Sequence, residues 1–145
     1  MKKVILSSKA PAPIGPYSQA IEANGTLYVS GQIPIDPATG EVVAGGIEPQ
    51  AKQVMQSLKA ILEEAGYTFD QVVKTTILLD DLGNFAKVNE IYGSYFGEGA
   101  PARETYQVAK LPKGVAVEIS CTLIKIAACM IDEPRGIFFM DVFRH

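Results

Sequence analysis

Arg103 and Glu118 are the two side chains whose types and setting first suggest chemistry. Both lie in alternating segments. Around Pro101-Ala102-Arg103-Glu104-Thr105-Tyr106, the residues Arg103, Thr105 and Gln107 share one strand face, and Glu104, Tyr106 and Val108 share the other. Over residues 115–124, Val115, Val117 and Ile119 make an apolar face, while Ala116, Glu118 and Ser120 point the opposite way. If the two strands are neighbours, a guanidinium that is always charged and a carboxylate able to take up a proton border one cleft. Such a pair is more often a plain cross-strand ion pair. The residue inventory closes off other chemistry. His145 is the single histidine and the last residue, which removes a histidine pair, a Ser-His-Asp triad or a His-rich metal site. Cys121 and Cys129 are too few for a disulfide scaffold or a zinc site, and Cys121 reads as a small buried hydrophobe.

Several elements must position this pair. Residues 3–8 read as a short strand. Residues 10–16 hold three prolines and a glycine, which cannot donate a regular ladder, so they form a rigid, ordered loop. Strands over 18–23 and 26–30 are split by Asn24-Gly25, a strong hairpin signal because both residues tolerate positive φ. A turn over 36–40 precedes a helix with Pro49 near its first turn and Gly66 at its end. Ala51, Val54, Met55, Leu58, Ile61, Leu62 and Ala65 form its one apolar stripe. A strand over 72–80 follows, and a second helical stripe of Phe85, Val88, Ile91, Tyr92, Tyr95 and Phe96 runs to Gly97. Strands over 103–109 and 115–124 complete the order β-β-β-α-β-α-β-β. Two helices, each apolar on one side, cover one face of a mixed sheet, giving a two-layer α+β domain. The other face is left uncovered. Ile33, Tyr106, Val108 and Val117 are its candidates, and a homo-oligomer is the natural way to bury them.

Composition narrows the function classes. A chain of 145 residues, 48% hydrophobic and 20% charged, suits one folded domain rather than a disordered one. The net charge is −3 and the longest basic run is Lys2-Lys3, so the phosphate-neutralising stripe of a nucleic-acid binder is missing. No apolar run approaches the roughly 18 residues of a membrane span, and the opening residues do not form a signal peptide. The chain reads as cytoplasmic and metal-free.

A set of short motifs adds specificity. Ile14-Gly15-Pro16-Tyr17-Ser18-Gln19, Ser30-Gly31-Gln32-Ile33-Pro34, Lys74-Thr75-Thr76, Asp81-Leu82, Phe85, Val88-Asn89, Pro101-Ala102-Arg103, Leu111-Pro112-Lys113 and Val117-Glu118-Ile119 occur in order. Together they resemble the RidA/YjgF family of reactive-intermediate deaminases, also labelled L-PSP endoribonucleases. The resemblance implies a chorismate-mutase-like fold and a homotrimer with sites between subunits. It further implies hydrolysis of 2-imino and enamino acids, such as 2-iminobutanoate and 2-iminopropanoate, to 2-oxo acids and ammonia without metal or organic cofactor. Carried over by position, Arg103 grips the substrate carboxylate with its guanidinium fork. Glu118 positions the attacking water, and partial burial would raise its pKa toward a useful range. Arg103, Glu104 and Thr105 form the substrate-contacting segment, with the imine nitrogen assigned to the backbone carbonyl of Thr105. Tyr17 and Asn89 line the cleft, and Ser30, Gly31 and Gln32 form its floor or wall.

Gly15 and Gly31 also suit tight turns, Tyr17 could plug an interface, and Asn89 could be a surface amide. Two positions depart from the family pattern. Glu104 stands where a small residue is common, and Thr105 stands where a cysteine is common, which removes a nucleophilic thiol. Glu104 faces away from Arg103, so its charge should bear on assembly or specificity before catalysis. Two other functions compete: an endoribonuclease or translation inhibitor, which the acidic balance disfavours, and a non-catalytic binder of small carboxylates. The family pattern covers residues 1–125 and leaves 126–145 as an extension. That extension holds Phe138, Phe139 and Phe143; it either packs on a subunit surface or is an accidental addition.

Overall fold

A computed structural model describes residues 1–125. The expectation about the extension, residues 126–145, lies outside the described residues. The elements are β1 (Lys3–Ile5), β2 (Ala20–Ala23), β3 (Thr26–Gln32), α1 (Ile47–Ala65), β4 (Val72–Leu79), α2 (Phe85–Gly93), β5 (Ala102–Gln107) and β6 (Val117–Ile124), the expected order. Asn24 at φ 51° and Gly25 at φ 73° turn β2 back onto β3, as the Asn-Gly pair predicts. Helix α1 buries Ala51, Val54, Met55, Leu58, Ile61 and Leu62 along one stripe. It ends where Gly66 turns left-handed and its N–H bonds back to Glu63. Helix α2 is shorter than its stripe implied. It stops at Gly93, and Tyr95 and Phe96 continue as turns, with Phe96 packed on Tyr92 and both rings on Phe69.

The six strands form one sheet in the order β1-β2-β3-β6-β4-β5. Every pairing is antiparallel except β4 with β5, which α2 connects as a parallel crossover. One conditional expectation is overturned here. Strands β5 and β6 are not neighbours, because β4 lies between them. The 111–114 segment resembles a hairpin turn, yet β6 has both edges occupied, by β3 and by β4.

The two sheet faces differ sharply. Leu27, Val29, Ile77, Leu79, Val117, Ile119, Cys121 and Leu123 are buried on the side that α1 and α2 cover. Val117, expected on the open face, is 0% exposed and belongs to this core. The register places three rows across the open face: Tyr28, Thr122 and Lys74; then Ser120, Thr76 and Glu104; then Glu118, Leu78 and Tyr106. Hydroxyls and charges dominate it, so the open face is polar and not the apolar one that composition suggested. Tyr106 does stand exposed there. Among the described residues, no helix is long and apolar enough to cross a membrane.

Candidate active site

The first feature is a cleft of about 280 Å³ on the open face, lined by Ile14, Tyr17, Ser30, Gly31, Ile33, Pro112 and Glu118. Strand β6 points Glu118 into it by alternation with Val117 and Ile119, both in the core. Glu118 is half-buried, and desolvation raises its pKa above the ordinary carboxylate value. Gly31 makes room for it. A Cβ on Gly31 would lie 2.7 Å from Glu118 Cδ, and the φ of Gly31 is not positive. Glycine here leaves room for the Glu118 carboxylate rather than serving a tight turn, and any larger residue would have to displace that side chain. The pairing of β3 with β6 also shifts between Val29 and Gln32, which locally re-aims the strand.

The neighbouring polar groups are spoken for. Ser30 Oγ donates to the Ser18 carbonyl at 2.6 Å, and Gln32, which is buried, donates through Nε2 to the Ser30 carbonyl at 3.2 Å. The structure thus gives both side chains bonds that brace the cleft wall. Tyr17 is exposed, and its Oη accepts a hydrogen bond from the Ile14 N–H at 3.2 Å.

The second feature lies on the covered side at the β5 edge. Arg103 Nη1 donates to Asn89 Oδ1 at 2.7 Å. Its guanidinium carbon sits 5.4 Å from the Phe85 ring centre and 5.2 Å from that of Tyr92, within cation–π range of both. Tyr92 is in turn fixed by a 2.8 Å hydrogen bond between its hydroxyl and that of Thr75, the register partner of Arg103 on β4. Asn89 is thus the acceptor that orients Arg103. Thr105, on the same strand face, has a buried Oγ1 with no partner among the described residues. The apolar spacing places Phe85 and Tyr92 in the helix stripe and gives neither a role at Arg103. Their spacing with Asn89, at i, i+4 and i+7, was the available signal that one helix stripe could grip a side chain.

Glu104 points to the opposite, open face. Its carboxylate accepts from Thr76 Oγ1 at 3.0 Å and from Tyr106 Oη at 3.0 Å, and Lys74 Nζ stands 3.5 Å away. These hydrogen bonds, Thr76 first, hold its pKa below the usual carboxylate value. Arg103 and Glu118 therefore occupy opposite faces of the sheet with β4 between their strands, and one copy does not bring them together. Among the described residues no group of three His, Cys, Asp or Glu side chains is placed to hold a metal. Cys121 is buried, and burial pushes its thiol up to about 12, so it stays protonated and inert at neutral pH.

Two helices on one face of a mixed six-stranded sheet, with a carboxylate cleft on the other, define a two-layer α+β domain of the chorismate-mutase-like class. Residues 7–125 match the family described as Endoribonuclease L-PSP. A RutC family protein of Pyrococcus horikoshii is 54% identical over 125 residues, covering 86% of this chain and 99% of that protein. The 2-iminobutanoate/2-iminopropanoate deaminase of Mus musculus is 50% identical over 125 residues, covering 86% and 93%. Among solved structures, E. coli TdcF with bound serine superposes with a TM-score of 0.81 at 38% identity, covering 86% of this chain and 99% of that one. The chain belongs to the RidA/YjgF family.

Proposed function

We propose that the protein hydrolyses 2-imino acids and their enamine tautomers, with 2-iminobutanoate and 2-iminopropanoate as substrates, to 2-oxo acids and ammonia. The observation that carries this reading is Glu118: a half-buried carboxylate of raised pKa facing an open cleft of substrate size. The deaminase name of the mouse relative supports it, as does the serine bound to TdcF, an amino acid of similar size.

In this reading each active site joins two copies of the chain within a homotrimer. The Glu118 cleft of one copy meets the β5 edge of the next, which brings Arg103 with its Asn89, Phe85 and Tyr92 support. Arg103 binds the substrate carboxylate through its guanidinium fork. Glu118 takes a proton from water as the oxygen adds to the imine carbon, and the imine nitrogen becomes an amine. Glu118 passes that proton to the nitrogen, then takes the carbinolamine's hydroxyl proton and passes it likewise, so that ammonia leaves as the carbon–nitrogen bond breaks and the carbon–oxygen double bond forms. Every atom is supplied by substrate and water, and Glu118 both accepts and returns the proton. The backbone carbonyl of Thr105 receives the imine N–H. Glu104, held by Thr76, Tyr106 and Lys74 on the open face, acts on assembly or specificity.

The test generates the imine in place with a threonine dehydratase, with semicarbazide competing for it, and follows 2-oxobutanoate release. The parent protein accelerates release, and Arg103→Ala and Glu118→Ala do not. Arg103→Ala working as well as the parent overturns the reading.

A further inference from the structure

Gln19 closes the first motif of the chain, is 1% exposed, and lines none of the proposed chemistry. Its carboxamide is nonetheless the most heavily bonded side chain among the described residues. Oε1 accepts the Ser7 N–H at 2.7 Å. Nε2 donates to the Ser7 carbonyl at 3.1 Å and to the Pro11 carbonyl at 2.9 Å, with the Ala10 carbonyl at 3.4 Å. The backbone of the same residue is tied to β3, because Ser30 N–H donates to the Gln19 carbonyl at 2.9 Å.

These bonds matter because the segment they hold has few of its own. Pro11, Pro13 and Pro16 have no N–H to donate, so the loop that follows Ser7 cannot build a ladder. Its tip carries Ile14 and Tyr17, both walls of the Glu118 cleft. The Ile14 N–H donates to Tyr17 Oη, which fills an acceptor position on that phenol and leaves its hydrogen free.

We propose that Gln19 is a positioning residue. Its buried carboxamide sets the loop over residues 7–17 so that Tyr17 presents its hydroxyl as a hydrogen-bond donor to substrate in the Glu118 cleft. The inference rests on the deaminase reading for its kinetic readout, and it has a second readout that does not.

Gln19→Met keeps the length of the side chain and removes every carboxamide bond while the backbone bond to Ser30 stays, whereas Gln19→Glu keeps the acceptor for Ser7 and loses the donors. With folding checked by circular dichroism, both variants raise KM for the imine about tenfold while kcat stays within about threefold, the pattern of lost substrate binding. In a Tyr17→Phe background the same change adds less than about twofold, because the lost donor is the one that Gln19 positions. Amide exchange at Ile14 and Tyr17 rises in the Gln19 variants. An unchanged KM in folded variants, or full additivity with Tyr17→Phe, overturns the inference. If the parent hydrolyses no imine, the deaminase reading fails on its own. Exchange then decides: protection at Ile14 and Tyr17 that survives Gln19→Met overturns the positioning role. Gln19→Glu carries the measurement if Gln19→Met does not fold.

Discussion

Glu118 is held at an energetic disadvantage that the proposed chemistry would use. Burial opposes its charge, so its pKa in the folded protein lies above the ordinary value it has in the unfolded chain. Between those two values the folded protein binds the extra proton, and stability falls as pH rises through that window. Glu118→Gln should therefore raise the melting temperature at pH 7 while abolishing hydrolysis. The gain should vanish in acid, below both pKa values, and calorimetry across pH reads it. The same shift sets the rate profile. On the proposed mechanism, hydrolysis should be lost as pH falls through a value above the ordinary carboxylate pKa, because the carboxylate must be charged to accept the water's proton. Gly31→Ala probes the geometry rather than the charge. A Cβ 2.7 Å from Glu118 Cδ forces the carboxylate aside, with kcat expected to fall about 10- to 100-fold and the fold retained. Both residues stood in recognisable motifs. What the glycine at position 31 makes room for was not legible, because it is a side chain 87 positions along the chain that only the β3–β6 pairing brings close.

At the scale of elements, α2 acts as the support for Arg103. Phe85, Asn89 and Tyr92 lie on one helix stripe, and all three contact the guanidinium. Asn89→Ala should raise KM with little change in melting temperature, since the bond it removes is exposed. Arg103→Lys should not rescue Arg103→Ala, because an ammonium lacks the planar fork that matches a carboxylate. Tyr92→Phe behaves differently. It strips the partner from the buried Thr75 hydroxyl and should cost about 1–3 kcal/mol of stability in denaturant titrations. Helix α1 was fully legible because its stripe, its early proline and its terminal glycine agree. Helix α2 was legible in kind but not in length, because Tyr95 and Phe96 keep the apolar spacing while packing from turns. The β5–β6 relation was not legible at all. A Pro-Lys-Gly connection looks like a hairpin locally, and Lys113 even adopts φ 56° within it, but strand pairing is a long-range outcome that no local signal encodes.

The whole molecule leaves its two chemical features unjoined. The cleft with Glu118 opens on one side of the sheet, and Arg103 stands on the other at an edge strand paired only with β4. Sequence motifs named both residues, while their separation by a sheet and an intervening strand needed the topology. Deleting residues 126–145 should leave hydrolysis intact, since the family match ends at Lys125; a dead truncated protein would tie the extension to the site or the assembly. A site shared between copies makes a sharper prediction. Arg103→Ala and Glu118→Ala are each inactive alone, because every site in either assembly lacks one group. Unfolded together in equal amounts and refolded, they should recover activity. In a ring of three, a working site needs an intact Glu118 from one copy and an intact Arg103 from its neighbour, each with a chance of one half. The mixture should then reach about a quarter of the parent's specific activity. Recovery near that level, with sedimentation showing trimers, places the two groups on different copies. Trimers with no recovered activity would put both groups of each site in one chain and would require the sheet to open, which the six continuous strand pairings oppose.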